Sequence, residues 1–194
     1  MVKLKGKKAQ IIGLDLKQDV IDFCNETAQN LGYETLIFQK GDISAFDYNG
    51  NVDMVVSLHA CDTATDEAIS KAVMWGAKVI FAVPCCQHEL FTQLKNDQMA
   101  PLLKHGIVRD KLTTIVTDTL RSNALEAVGY TVQMLEFIDM EHTPKNILIR
   151  AIKTDKTLSK RLEEYARYLD FKASWQVNPR IDDVLKPYFP KFPN

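Results

Sequence analysis

The sequence predicts an α/β fold, a doubly wound and mostly parallel sheet that ends in a C-terminal antiparallel hairpin. Short continuous apolar runs at Gln10–Leu16, Val52–Leu58 and Val79–Val83 read as strands covered on both faces. Between them, Gln18–Leu31 and Thr65–Trp75 carry apolar residues at helical spacing, and Gly32 and Gly76 stop them. Two late segments, Tyr130–Ile138 and Asn146–Lys153, lie too close together for a crossover helix, so they pair as a hairpin. Alternation of this kind argues for a sheet with helices packed against it.

The elements follow in order. Gln10–Leu16 ends in an acid, Asp15, and leads into a helix with Val20, Ile21, Cys24, Ala28 and Leu31 on one stripe. Thr35–Gln39 is a second strand, running into Gly41-Asp42-Ile43. Asn49-Gly50-Asn51 is a turn signal before Val52–Leu58. The helix Thr65–Trp75 has Thr63 or Thr65 as N-cap candidate ahead of the acidic Asp66 and Glu67. After Val79–Val83, helical patterning runs from His88 to about Val128, with breaks near Pro101 and Gly106. The tail, 154–194, holds one amphipathic helix around Leu158–Leu169, then Pro179, Pro187, Pro190 and Pro193 in an irregular wrapping segment. Neither a repeat nor a low-complexity tract is present, and 194 residues read as a single domain.

Bulk properties exclude several classes. A net charge of −1 leaves no general polyanion surface, so a nucleic-acid partner would require a local basic patch. Four cysteines without regular spacing, two of them adjacent, do not make a disulfide framework and suit a reducing, cytoplasmic setting. Lys3, Lys5, Lys7 and Lys8 precede no apolar signal core, and no segment approaches membrane-spanning length.

Chemistry-bearing residues gather at strand ends. Leu58-His59-Ala60-Cys61-Asp62 follows one strand and Pro84-Cys85-Cys86-Gln87-His88-Glu89 follows another. In open α/β sheets, ligands bind in the crevice beyond the carboxyl ends of the strands. If Tyr130–Ile138 runs parallel to the other strands, the hairpin loop brings Glu141, His142, Lys145 and Asn146 to the same rim. Asp15 at a strand end suits the two hydroxyls of a ribose, and Asp42 the exocyclic amine of an adenine. Each residue equally suits a local role, Asp15 as a helix cap and Asp42 as a turn acceptor. The thiols and imidazoles of Cys61, Cys85, Cys86, His59 and His88 are zinc donors by type. Adjacent cysteines on extended backbone point in opposite directions, however, and no Cys-x-x-Cys occurs, so the expectation is that no metal is held. Cys85 or Cys86 beside His88 also has the makings of a thiol nucleophile.

Together, Gly13-Leu14-Asp15-Leu16-Lys17, Gly41-Asp42-Ile43, the run from Asp53 to Asp66, Val83–Leu90, and His142-Thr143-Pro144-Lys145-Asn146 resemble a bacterial and archaeal family of class I S-adenosylmethionine-dependent methyltransferases. That family is distantly similar to eukaryotic tRNA 2′-O-methyltransferases. The resemblance spans about Gln10 to Lys153. It implies a Rossmann-like methyltransferase domain in which Asp15 and Leu16 hold the cofactor ribose and Asp42 and Ile43 the adenine. Leu58 and His59 would lie near the sulfonium methyl, and Cys85, Cys86, His88, Lys145 and Asn146 would face the methyl acceptor. His59 or His88 is then the proton acceptor, with Lys145 or Asn146 orienting the substrate, RNA among the candidates.

One departure carries consequences. The family's first strand and its Asp-x-Gly-x-Gly-like turn are absent, and no Gly-x-Gly occurs. The expectation is an N-terminally incomplete, truncated methyltransferase with weak or absent cofactor binding. Its open strand edges would favour self-association or completion by a separate N-terminal segment. Two other readings compete: a fragment of an NAD(P)-dependent oxidoreductase, whose cofactor ribose Asp15 would serve equally well, and a non-catalytic partner module.

Overall fold

The computed structural model describes residues 8–58, 60–136 and 147–193. The chain divides into two compact units, Met1–Asn49 and Gly50–Asn194. The first holds β1 (Ile11–Asp15), α1 (Gln18–Asn30) and β2 (Leu36–Lys40). The strands pair in parallel with Ile11 opposite Leu36 and Asp15 opposite Lys40. The α1 stripe buries Ile21 and Ala28. From the same helix, Asn25 donates to the Phe38 carbonyl (2.9 Å) and accepts from the Phe38 N–H (2.8 Å), closing the outer edge of β2. Such side-chain cover blunts an edge that would otherwise recruit another strand. Gly13 is required by a close approach: a Cβ there would stand 2.3 Å from Cδ1 of Phe38, its partner across the ladder.

The second unit is built on a four-stranded mixed sheet, with β3 (Met54–Leu58), β4 (Val79–Val83), β6 (Ile147–Lys153) and β5 (Tyr130–Glu136) in that spatial order. β3 and β4 are parallel, while β6 lies antiparallel to both β4 and β5. β5 therefore runs in the direction of β4, and its carboxyl end, Glu136, belongs to the same rim as Leu58 and Val83. The α/β class and the closing hairpin are as the sequence predicts. The hairpin loop, with Glu141, His142, Lys145 and Asn146, lies outside the described residues.

The core gathers Ile80 and Ala82 of β4, Ile149 and Ala151 of β6, and the buried stripe of α4 (Gly106–Ala127), which includes Val116, Leu120, Ala124 and Leu125. α2 (Thr63–Met74) contributes Ile69 and Ala72. α5 (Leu158–Trp175) begins at Thr157, whose hydroxyl accepts from the Lys160 N–H at 3.3 Å. Tyr165 and Tyr168 of α5 stack against Phe189.

Three local expectations are corrected. No helix begins at His88; residues 84–99 form turns up to α3 (Ala100–Leu103), and Pro101 starts that helix instead of interrupting one. The cause is tertiary, since distant groups claim this segment. Glu89 accepts from the Arg180 N–H, Gln93 from the Asn178 N–H (2.9 Å), and the Lys95 N–H donates to the Trp175 carbonyl (3.1 Å). Neither Thr63 nor Thr65 caps α2: the N-cap residue is Asp62, and Thr65 Oγ1 donates to the Ala60 carbonyl at 2.7 Å. The proline-rich tail is not wholly irregular, because α6 (Arg180–Leu185) starts after Pro179 with Asp182 and Asp183 in its first turn.

Gly13→Val should displace the Phe38 ring and destabilise the protein by about 1–3 kcal/mol, the usual cost of overpacking. Chemical denaturation of Gly13→Val, Phe38→Ala and the double variant checks this. The double variant should lose less than the sum of the singles, because the clash disappears with the ring.

Candidate functional site

The two parallel strands of the first unit end side by side. The Gly41 N–H donates to the Asp15 carbonyl at 3.0 Å, fixing the exit of β2 against that of β1. Asp15 Oδ1 accepts from the Lys17 N–H (2.8 Å), and Asp42 Oδ1 accepts from the Ser44 N–H (2.9 Å). The Ser44 bonds hold the Asp42 carboxyl below its usual range. Asp42 thus fills the turn role foreseen for it, whereas Asp15 does not cap α1, whose N-cap residue is Lys17 with no side-chain cap. Leu16 is exposed and Ile43 half-buried beside them.

In the second unit, Asp62 joins the two strand-end loops. Its N–H donates to the Cys86 carbonyl at 3.1 Å, and its Oδ1 accepts from the N–H groups of His88 (3.1 Å) and Glu89 (3.2 Å). To make these bonds Asp62 adopts φ 50°, a left-handed value costly for a non-glycine residue, on the order of 1–3 kcal/mol. Behind it stands Arg121 of α4, fully buried. Its Nε and Nη2 grip both oxygens of Asp66 at 2.8 Å, Nη2 also reaches the Asp62 carbonyl at 2.8 Å, and Nη1 meets Asp118 at 3.0 Å. Gln87 Nε2 adds a bond to Asp118 Oδ2 at 2.9 Å.

This arrangement brings the thiols together. Cys61 Sγ lies 3.3 Å from Cys85 Sγ, which lies 3.8 Å from Cys86 Sγ. The opposed orientation expected from adjacency does not hold, since the sulfurs of Cys85 and Cys86 stand 3.8 Å apart. Leu58 ends β3 as an exposed residue, and His88 is exposed with its N–H committed to Asp62. His59 lies outside the described residues, as do Lys145 and Asn146.

Sequence reasoning missed Arg121, Asp118 and Glu89. The signal for Arg121 was present: it sits on the stripe of Thr113, Val116, Thr117, Leu120 and Ala124, where a charge demands a buried partner. The cluster carries one cation against two carboxylates, Asp66 and Asp118. Burial pushes Asp118 up to about 6 despite its bond to Arg121. Glu89 is pushed up to about 7, first by burial and then by the charges of Asp66 and Asp62.

A carboxyl that binds its proton more tightly in the folded chain stabilises the fold fully below its ordinary value and loses that contribution as pH rises through the folded value. For Glu89 the window runs from 4.5 to about 7. Glu89→Gln keeps an acceptor for the Arg180 N–H and removes the titration. Urea unfolding should place this variant above the wild type at pH 8 relative to their difference at pH 4. An equal offset at both pH values would contradict the assignment.

Residues 1–93 match the family model of a methyltransferase domain. No curated protein matches the chain significantly. Among solved structures, the chain is similar to magnesium protoporphyrin IX methyltransferase from Synechocystis PCC 6803 with bound SAH, at 13% identity and a TM-score of 0.46, over 79% of this chain and 68% of that one. It is also similar to the YcgJ protein from Bacillus subtilis (11% identity, TM-score 0.40, 76% and 83% covered). A third is the PH0226 protein from Pyrococcus horikoshii OT3 (14% identity, TM-score 0.40, 79% and 75% covered). The part of the chain that runs from before β1 to just past the second cysteine loop thus carries the sequence pattern of a methyltransferase domain.

Proposed function

We propose that this protein transfers methyl groups from S-adenosylmethionine. The observation that carries the reading is the match of residues 1–93 to a methyltransferase domain. The donor set of the first unit fits the cofactor's nucleoside: two carboxylates, Asp15 and Asp42, leave adjacent strand ends, suited to ribose hydroxyls and an adenine amine. Bound there, the cofactor supplies an electrophilic methyl on a sulfonium.

The protein's own task is then to orient an acceptor in line and to keep water out. As the acceptor's bond to the methyl carbon forms and the carbon–sulfur bond breaks, the acceptor's proton goes to a base, a role we assign to His88. We assign cofactor binding by this chain to the weak range, because no Gly-x-Gly turn is present to bring backbone N–H groups to the methionine carboxylate. RNA is the acceptor to test first, on the distant similarity of the resembled family to tRNA 2′-O-methyltransferases.

Calorimetric titration should show S-adenosylhomocysteine binding more weakly than the micromolar range and being lost in Asp15→Ala, with no heat from NADH. Transfer of labelled methyl groups from S-adenosylmethionine to RNA, protein and small-molecule fractions then identifies the acceptor. Binding of NADH in preference to S-adenosylhomocysteine would overturn the reading.

A further inference from the structure

Beyond methyl transfer, we propose that Cys61, Cys85 and Cys86 form a three-thiolate site for a thiophilic d10 cation, zinc or copper(I). Their three sulfur atoms all lie within 4.8 Å of one another. Tetrahedral zinc with bonds of about 2.3 Å to sulfur sets its ligands about 3.8 Å apart. Cys85 and Cys86 already stand at 3.8 Å, and Cys61 must retreat from its 3.3 Å approach to Cys85 by about half an ångström. That contact is far longer than a disulfide, which closes at about 2.05 Å, and the cysteines are not bridged.

The convergence does not depend on the sulfurs. Asp62 fixes the two loops through the Cys86 carbonyl and the N–H groups of His88 and Glu89, so the thiols are held in place before any ion arrives. Preorganisation of this kind lowers the ordering cost of binding. Cys61 is exposed and offers a path from solvent, while Cys85 and Cys86 are half-buried. Between them these three account for all but one of the chain's cysteines; the fourth, Cys24, belongs to α1 in the other unit.

Binding a divalent ion replaces three S–H bonds by three metal–sulfur bonds and releases three protons to solvent, leaving the centre with one net negative charge. Three protein ligands leave the fourth tetrahedral position to water or to an added donor. Affinity therefore rises with pH, and the bound ion ties the loop after β3 to the loop after β4. Soft sulfur donors select zinc or copper(I) over magnesium or calcium.

The test uses the whole chain, reduced, with its thiols counted before titration with Co²⁺. One equivalent should give the intense sulfur-to-metal absorption and the visible bands of tetrahedral cobalt. Zn²⁺ should abolish both; a parallel titration with Cu(I) under a competing chelator tells which ion is held more tightly. Cys61→Ser and Cys86→Ser should each weaken binding at least tenfold, whereas Cys24→Ser should leave the spectrum unchanged, with circular dichroism verifying the fold of each. Three findings would overturn the proposal: no tetrahedral cobalt spectrum from the reduced wild type, a spectrum that survives in the Cys61→Ser/Cys86→Ser double variant, or a Cys61–Cys85 disulfide as the resting state in a glutathione buffer poised like the cytosol.

Discussion

Everything at the rim of the larger unit rests on the buried guanidinium of Arg121. An unpaired charge at that depth is prohibitively unfavourable, so the group must find carboxylates and carbonyls arranged around it. It finds Asp66 of α2, Asp118 one turn earlier on α4, and the carbonyl of Asp62. Through these bonds one side chain sets the start of α2 against α4 and places the peptide of Asp62. Replacement by an apolar residue would strand two carboxylates, and buried pairs broken on one side cost about 3–5 kcal/mol.

From Arg121 the constraint passes outward. With its carbonyl taken, Asp62 turns into a left-handed conformation, and its N–H and carboxylate then face the loop after β4. The strain is local and the return is positional, since two loops separated by a helix and a strand are held in register. Three sulfurs, a half-buried Glu89 and the exposed His88 are thereby gathered at the carboxyl ends of β3 and β4. Burial, reinforced by the charge of Asp66, explains why Asp118 and Glu89 hold protons above the ordinary carboxylate range.

Much of this was legible in the chain because strands show as continuous apolar runs. The cover on both faces expected for Val52–Leu58 is not found, however: Met54, Val56 and Leu58 of β3 are exposed. β4 has the bounds Val79–Val83 that its run predicts, and α1 and α2 stop at the glycines that end their stripes. The positions of Asp15 and Asp42 at strand ends followed from the same reading. What was not legible depends on groups distant in sequence. The segment after His88 has helical spacing, but its backbone is claimed by Asp62, Trp175 and its Glu89 side chain by Arg180. Adjacency argued against Cys85 and Cys86 facing one ion, yet the loop after β4 sets their sulfurs 3.8 Å apart. Arg121 escaped notice although it shares the buried stripe of α4.

Native-state hydrogen exchange at the His88 and Glu89 amides tests this chain of constraint most directly. The account predicts that both are protected in the wild type, that Asp62→Ala exposes both while the β4 amides stay protected, and that Arg121→Met exposes them as well, without touching either amide. Exchange at unprotected rates in the wild type, or protection that survives in Asp62→Ala, would contradict it.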